Sequence, residues 1–186
     1  MVLFLVVVLT GSALAADLVV VETSMGNIKL ELFTEKAPVS VENFLGYVDR
    51  KEYDGTIFHR VIDNFMIQGG GFDQKMKKKP VQPAIINEAD NGLKNDKGTL
   101  AMARTNVVDS ATSQFFINLK DNDFLNHRGK SPRSYGYAVF GRVIEGMDVV
   151  EKIAKVKTVR KGSHQNAPEP QVVIKTLRRV ELEKTK

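Results

Sequence analysis

The sequence predicts a mainly β protein: an antiparallel barrel with two α-helices outside it. Short runs of alternating apolar and polar residues recur along the chain, and only two segments have helical periodicity. The strand runs follow one another without the strand–helix–strand alternation that is typical of a parallel sheet. With 186 residues, 42% hydrophobic and 26% charged, the chain can bury the core of one soluble domain.

The first two predicted strands form a hairpin. Residues 27–33 alternate between apolar and polar side chains, as a half-buried strand does. They can pair with residues 18–22 through a turn that contains Gly26. Further strands are expected at residues 57–62, 65–68, 99–103, 115–119, 137–143 and 171–182.

Two helices interrupt these strands. Pro38 opens the first helix, since proline is well tolerated in the first helical turn. Its apolar face, at the spacing of a helix, consists of Val41, Phe44, Leu45 and Val48. The second helix follows Gly146, and its inward side chains are expected to be Val149, Val150, Ile153 and Val156.

The N-terminus has the pattern of a secretory signal peptide. An apolar run at residues 2–9 is followed by small residues that end in Ala13, Leu14 and Ala15, an A-x-A cleavage pattern. Cleavage after Ala15 would leave a domain at residues 16–186. No Lys or Arg precedes the apolar run, so a buried first strand or an uncleaved anchor stays an open alternative.

The expected product is soluble and periplasmic, or secreted. The apolar run is shorter than the roughly 20 residues that span a bilayer, so no stable membrane insertion is expected after cleavage. The chain has no cysteine, which excludes both a lipid-modified N-terminal cysteine and a disulfide framework. No feature of the sequence suggests an obligate dimer, and we expect a monomer.

The net charge of +5 is spread along the chain. The densest basic run comprises Lys75, Lys77, Lys78 and Lys79, and it lacks interleaved aromatic residues. We interpret it as a solvated loop and expect no nucleic-acid binding. His127 and His164 have no carboxylate or histidine at metal-ligand spacing, so neither a metal nor another cofactor is expected.

Residues 58–70, FHRVIDNFMIQGG, carry the chemistry. If two adjacent strands lie here, period-two alternation groups their side chains by face: Phe58, Arg60 and Ile62 on the first strand, Met66 and Gln68 on the second. A cation and a glutamine among bulky apolar groups would make an apolar pocket with a polar wall. The segment contains no nucleophile, so the site suits chemistry in which no bond is broken.

Two neighbours of this site have structural interpretations. His59 is expected on the barrel face opposite Arg60, as a structural histidine. Residues 69–71 are all glycine, and without a following GK[ST] they are interpreted as a tight turn after the strand rather than as a phosphate loop.

The segment YDGTIFHRVIDNFMIQGG at residues 53–70 resembles the signature of the cyclophilins, the peptidyl-prolyl cis-trans isomerases. Four further blocks agree in order and spacing: GTLAMART at 98–105, SATSQFFINL at 110–119, DNDFL at 121–125 and YAVFGRVIEGMDVVEKI at 137–153. They are most similar to the bacterial exported branch of that family. The resemblance covers about residues 20–173 and implies a closed eight-stranded antiparallel β-barrel capped by two α-helices.

The resemblance implies that the protein accelerates rotation about X–Pro bonds in exported or folding polypeptides. Arg60 matches the arginine that donates a hydrogen bond to the proline nitrogen. Gln68 matches the glutamine that contacts the substrate backbone and supports the arginine. A non-catalytic module that binds proline peptides or holds unfolded chains is the main alternative. A Ser-His-Asp hydrolase is a remoter one, since no nucleophile motif is present.

The substrate site is also implied by the resemblance. The positions that enclose the proline ring are Phe65, Met66, Phe116 and Leu125. Gln114 matches a second glutamine of the groove, and the backbone groups of Ala103 and Arg104 would hold the extended peptide. Arg104 replaces an asparagine, and Tyr137 a histidine, that are common in eukaryotic members.

Phe124 departs from the pattern of the cyclosporin-sensitive members. Those members carry tryptophan at this position, and its indole N–H donates to the drug. Phenylalanine keeps an apolar wall but has no donor. We therefore expect catalysis to be retained and cyclosporin to bind weakly.

Overall fold

The computed structural model describes residues 17–180. The predicted signal peptide at residues 1–15 and the end of the last predicted strand lie outside the described residues. In chain order the elements are β1 (Asp17–Thr23), β2 (Gly26–Leu32), α1 (Pro38–Asp49), β3 (Thr56–Ile62), β4 (Met66–Asp73), β5 (Thr99–Met102), β6 (Phe115–Asn118), a 3-10 turn (Asp123–Leu125), β7 (Val139–Glu145), α2 (Met147–Ala154), β8 (Thr158–Lys161), β9 (His164–Pro168) and β10 (Val172–Arg179).

Eight of the strands close a barrel in the order β1-β10-β3-β4-β6-β5-β7-β2. All the pairings are antiparallel, which confirms the predicted fold class. β8 and β9 form a separate two-stranded sheet that the sequence analysis missed. No helix within the described part of the chain is long and apolar enough to cross a membrane.

The barrel interior is filled by an aromatic cluster. Phe44 of α1 lies with its ring centroid 5.4 Å from that of Phe115 and 5.2 Å from that of Phe140. Tyr53 packs edge-on against Phe115 at 5.5 Å, and its hydroxyl donates to the Ser113 carbonyl at 2.8 Å. α1 therefore joins its apolar face, which is buried as predicted, to the side chains of the barrel.

The start of α1 is stabilised from a distant part of the chain. No side chain next to the helix caps it, but the Glu88 carboxylate accepts the N–H groups of Val39 at 3.0 Å and Ser40 at 2.8 Å. A carboxylate at this end satisfies otherwise unpaired donors and complements the helix dipole. Glu88 thereby ties the long 74–98 connection to the helix.

α2 follows Gly146 as predicted, but it ends two residues before Val156, the last of its predicted inward residues. Val149, Val150 and Ile153 are buried, whereas the helix ends at Ala154 and Val156 follows it, partly buried against the core. Gly146 has a φ of +85°, and a Cβ there would collide with the Asn27 carbonyl. Only glycine fits this junction between β7 and α2.

A β-bulge in β3 breaks the predicted alternation. Phe58 pairs with Gly69 and Arg60 pairs with Gln68, so β3 advances by two residues where β4 advances by only one. His59 is the extra residue. Phe58 consequently points into the interior cluster, while Arg60 is half-buried on the outer side. The prediction that Phe58 and Arg60 share a face is therefore wrong.

His59 is also not where alternation predicts it. Its ring centroid lies 4.6 Å from that of Phe72 and 6.2 Å from that of His164, a residue of β9. Neither neighbour belongs to the interior cluster. His59 is buried between the barrel wall and the β8–β9 sheet, because the bulge turns it away from the interior.

The three glycines at residues 69–71 do not form a turn. They lie inside β4, which continues to Asp73, so that prediction is wrong. A Cβ on Gly69 would lie 2.9 Å from a ring carbon of Phe58, and one on Gly71 would lie 2.5 Å from Gln114. The glycines let neighbouring side chains pack directly on the strand backbone.

Candidate active site

A pocket of about 130 Å³ opens on the outer face of the barrel. It lies where β3, β4 and β6 meet the chain after β5 and before β7. Nine of the eleven predicted site residues line it: Arg60, Phe65, Met66, Gln68, Ala103, Arg104, Phe116, Leu125 and Tyr137. These residues are distant in the chain and adjacent in the fold.

The floor of the pocket is a second apolar cluster, separate from the barrel interior. Its buried members are Met66, Ala101, Phe116, Leu125 and Val139. On β6, Phe115 faces the interior cluster and the next residue, Phe116, faces this outer cluster. The same strand alternation therefore places one side chain in the barrel interior and the next in the floor of the pocket.

Arg60 forms the cationic wall. Its Nη1 donates to Gln68 Oε1 at 3.3 Å and lies 3.9 Å from the sulfur of Met66. Its Cζ lies 5.8 Å from the ring centroid of Phe65. None of the ion pairs found among residues 17–180 includes Arg60. The guanidinium therefore faces the pocket with its positive charge uncompensated by a carboxylate.

Burial lowers the pKa of Arg60, and the Tyr137 phenol acts in the opposite direction. An arginine remains protonated even after such a shift, because its ordinary pKa lies far above neutral pH. The pocket consequently holds a permanent hydrogen-bond donor in apolar surroundings.

Two glutamines hold the arginine. Gln68 accepts from Arg60 through its amide oxygen and donates through Nε2 to Gln114 Oε1 at 2.9 Å. This chain of amides fixes the orientation of Gln68. Gln114 itself does not line this pocket but an adjoining groove, which it shares with Gln68, Ala103 and Arg104.

The side chain of Arg104 holds neighbouring segments of the chain in place. Its side chain donates to three carbonyls: Nε to Gly136 at 2.9 Å, Nη1 to Thr105 at 2.9 Å and Nη2 to Pro132 at 2.8 Å. Its Cζ also lies 4.9 Å from the ring centroid of Tyr137. Arg104 therefore fixes the loop before β7 and the Tyr137 wall of the pocket.

The backbone N–H of Ala103 is hydrogen-bonded within the protein. It donates to the Gln114 carbonyl at 2.9 Å. Phe124 lies at the rim, 56% exposed, and its ring stacks on Phe65 at 5.6 Å. Phe124 and Gln114 are thus the two predicted site residues that do not line the pocket itself.

Sequence reasoning missed a network of buried asparagines that supports the pocket. Asn122 donates to the Phe65 carbonyl at 3.0 Å and to Asn118 Oδ1 at 2.8 Å. Asn118 donates to Asn95 Oδ1 at 3.2 Å, and Asn95 donates to the carbonyls of Leu125 and Tyr137, both at 3.3 Å. The network joins the backbones of three pocket-lining residues. The sequence offers only scattered asparagines as a signal, because apart from the Asn122–Asn118 bond the partners are 23 to 57 residues apart.

Comparisons with known proteins identify the family. A model of the family "Cyclophilin type peptidyl-prolyl cis-trans isomerase/CLD" matches residues 18–179. The chain is 58% identical over 166 residues to a peptidyl-prolyl cis-trans isomerase of Acinetobacter baylyi, covering 89% of this chain and 87% of the relative. It is 54% identical over 160 residues to peptidyl-prolyl cis-trans isomerase B of Escherichia coli, covering 86% and 98%.

A solved structure has the same fold. It is a cyclophilin type peptidyl-prolyl cis-trans isomerase of Cryptosporidium parvum, crystallised in the presence of the dipeptide Ala-Pro. The TM-score is 0.73 at 26% identity, and the match covers 89% of this chain and 99% of that chain. The chain therefore belongs to the cyclophilin-type peptidyl-prolyl cis-trans isomerases. Both the family and the enzymatic class predicted from the sequence are confirmed, while the exported branch stays a prediction.

Proposed function

We propose that this isomerase acts on X–Pro bonds of exported or folding polypeptides, with Arg60 as the donor to the proline nitrogen. The observation that carries the proposal is the Arg60 guanidinium, half-buried, unpaired with any carboxylate among residues 17–180 and aimed across an apolar pocket. Besides Arg60, Gln68 and Arg104, the pocket is lined by aromatic, aliphatic and thioether groups, which suit a proline ring.

The chemistry follows from the electronic structure of the peptide bond. Resonance gives the C–N bond partial double-bond character, which sets a rotation barrier of about 18–20 kcal/mol. In the twisted transition state the proline nitrogen is pyramidal and regains a lone pair. A donor directed at that nitrogen stabilises the twisted state more than either planar state, which is the condition for catalysis.

Arginine suits this role because its charge does not depend on pH near neutrality and its donors are held in a rigid fork. A hydrogen bond to a charged group contributes about 1.5–3 kcal/mol, which corresponds to about one to two decades in rate. The apolar floor formed by Met66, Phe116 and Leu125 contributes as well. A twisted amide is less polar than a planar one, so an apolar pocket favours the transition state.

Gln68 has a supporting role in the proposal. Its amide oxygen accepts from Arg60, and its Nε2 is held by Gln114, so the arginine is oriented before substrate binds. The carbonyl of Ala103 would pair with the substrate backbone next to the proline. The ring would contact Phe65, Met66, Phe116, Leu125 and Tyr137.

The proposal of export rests on the signal-peptide pattern of residues 1–15. An isomerase delivered outside the cytoplasm would meet proline-containing chains as they fold there. Expression of the full sequence in a bacterial host tests this directly. The processed protein should be recovered from the periplasm with Ala16 as its first residue, and an unprocessed cytoplasmic product would contradict export without affecting the enzymatic assignment.

The role of Arg60 is tested by the isomerisation of a short Ala-Pro peptide. Arg60→Ala should lower kcat/KM by about one to two decades, because the donor to the proline nitrogen is lost. Arg142→Ala is a matched control: Arg142 also lies 5.8 Å from an aromatic ring centroid, that of Phe33, but it pairs with Glu31 outside the pocket. Equal activities of the two folded variants would contradict the assigned role.

A further inference from the structure

A further concavity, distinct from the groove that contains Gln114, adjoins the proline pocket. It has a volume of about 470 Å³ and is lined by Arg104, Asn106, Pro132, Arg133 and Tyr137. Arg104 and Tyr137 also line the proline pocket, so the two cavities share a wall. Two of the five lining residues are arginines, and none is a carboxylate.

The charge of Arg104 is held in place but not neutralised. Its three hydrogen bonds go to the carbonyls of Gly136, Thr105 and Pro132, which are neutral acceptors. A guanidinium has five N–H donors, so Arg104 keeps donors beyond these three bonds. By contrast, Arg142 pairs with Glu31 and Arg178 pairs with Glu22.

Arg133 lines the same cavity and is exposed. No ion pair found in the described chain, residues 17–180, includes Arg104 or Arg133. The cavity thus has two unneutralised guanidinium groups, one of them rigid, together with the side-chain amide of Asn106. Guanidinium groups bind carboxylates with two parallel hydrogen bonds, which makes this a site for an acidic side chain.

We propose that this cavity is a specificity subsite that takes a Glu or Asp side chain of the substrate, close to the target proline. The inference rests on the proposed function, because the subsite matters only if the neighbouring pocket holds the proline. The shared wall of Arg104 and Tyr137 limits the distance between the two sites. At about 3.3–3.6 Å per extended residue, the acidic side chain lies within a few residues of the proline.

The experiment is a glutamate scan of a neutral peptide. An acetylated, amidated peptide with one proline among alanines receives a single Glu at each flanking position in turn, and the matched peptide receives Gln at that position. Isomerisation by the full-length protein is followed by NMR exchange. One position should give a kcat/KM about threefold to tenfold higher for Glu than for Gln, and this ratio should shrink as salt is added.

Arg133→Gln should bring the Glu-to-Gln ratio to below about twofold. Lys130→Gln is the matched control: it removes the same charge from the same loop, but Lys130 is exposed and does not line the cavity. It should keep the ratio of the wild type.

Three results would overturn the subsite: a ratio near one at every position, a ratio that survives Arg133→Gln, or an equal loss in Lys130→Gln. An equal loss in Lys130→Gln would indicate that the overall positive charge of the loop attracts the Glu side chain, rather than a specific binding site in the cavity. The all-alanine peptide separates the two proposals. If the enzyme does not turn it over, the proposed function fails; if it does and Glu equals Gln, only the subsite fails.

Discussion

The barrel interior and the outer pocket are built from neighbouring residues of the same strands, yet they are packed differently. Phe115 in the interior is 0% exposed and touches three other aromatic rings. Phe116, the next residue, lines a pocket that is open on one side and holds a half-buried cation. The packed core and the proposed catalytic site therefore lie on the two faces of one sheet.

The reason for this division is the cost of burying charge. A guanidinium enclosed among Phe44, Phe58 and Phe115 would lose its hydration with no compensating partner. On the outer face it keeps contact with water and with Gln68 while its apolar neighbours still lower the local polarity. The bulge at His59 makes this possible, since it lets Phe58 point inward and Arg60 outward two residues later.

The largest expected effects come from mutating two adjacent residues, Phe115 on the interior face and Phe116 on the pocket face. Phe115→Ala should lower the free energy of unfolding by about 3–5 kcal/mol, because it leaves a cavity that the interior cannot refill. Phe116→Ala should cost less stability, since its space opens to the pocket, but it should lower kcat/KM by about a decade. Urea unfolding and the Ala-Pro assay measure the two quantities.

Phe115→Leu gives a milder version of the interior change if Phe115→Ala does not fold. The comparison fails if Phe116→Ala destabilises the protein as much as the interior variant does while leaving kcat/KM unchanged.

The next effect concerns the boundary between the faces, at His59. Burial lowers the pKa of His59 to about 4, and the nearby positive charges of His164 and Arg60 act in the same direction. An unfolded histidine has a pKa of about 6.5, so between pH 6.5 and 4 the unfolded state binds more protons than the folded state. Stability should be complete above pH 6.5 and fall by up to about 3 kcal/mol as the pH drops to 4.

Unfolding free energies at pH 4.5 and 7.5 measure this loss. His59→Leu should flatten the dependence, since it removes the titrating group. His127→Gln is the control, because His127 is only partly buried and its Nδ1 lies 2.8 Å from the Tyr135 carbonyl. An unchanged pH dependence in His59→Leu would show that other groups account for it.

A third change tests whether the cation of the pocket must be unpaired. Gln68→Glu keeps the size of the side chain but places a carboxylate about 3.3 Å from Arg60. The ion pair should withhold the donor from the proline nitrogen and lower kcat/KM about tenfold at pH 7. Since the carboxyl is protonated only at acidic pH, the activity of this variant relative to wild type should recover as the pH falls below about 4.

Gln114→Glu adds the same charge one amide further from Arg60 and should have a smaller effect. Full activity of Gln68→Glu at neutral pH would show that neutralising Arg60 is harmless, against the proposed mechanism.

The smallest effect concerns the rim. Phe124→Trp should strengthen cyclosporin inhibition by up to about tenfold, because the indole N–H adds one neutral hydrogen bond of about 0.5–1.5 kcal/mol. The variant should leave peptide isomerisation nearly unchanged, since Phe124 is exposed and lies outside the pocket lining. Inhibition constants measured side by side decide this, and equal potency of cyclosporin on both proteins would refute the expected role of the missing donor.

Much of the fold was predictable because its signals are local. The apolar spacing of α1, the alternation of β2 and the proline at the start of α1 are each set by side chains within one element. The β8–β9 sheet was missed because its nine strand residues are mostly polar and do not alternate. It is held by contacts such as that of His164 with His59, more than a hundred residues apart in the chain.

The candidate site was predictable in its membership but less so in its geometry. The cyclophilin resemblance gave the lining residues one by one. It did not indicate the hydrogen bonds from the Arg104 side chain to backbone carbonyls. Nor did it indicate the asparagine network that binds the backbones of Phe65, Leu125 and Tyr137. Most of those interactions join residues 23 or more positions apart, and one sequence does not reveal which polar residues will meet.

The sequence by itself determined the family, the antiparallel barrel with its two helices, and the residues that gather around Arg60. The tertiary structure decided which way those residues point. A bulge of one residue reverses every later side chain of a strand, and its position depends on how two strands pair rather than on either strand alone. The register in which β3 pairs with β4 therefore places Arg60 outside the barrel and Phe58 inside it.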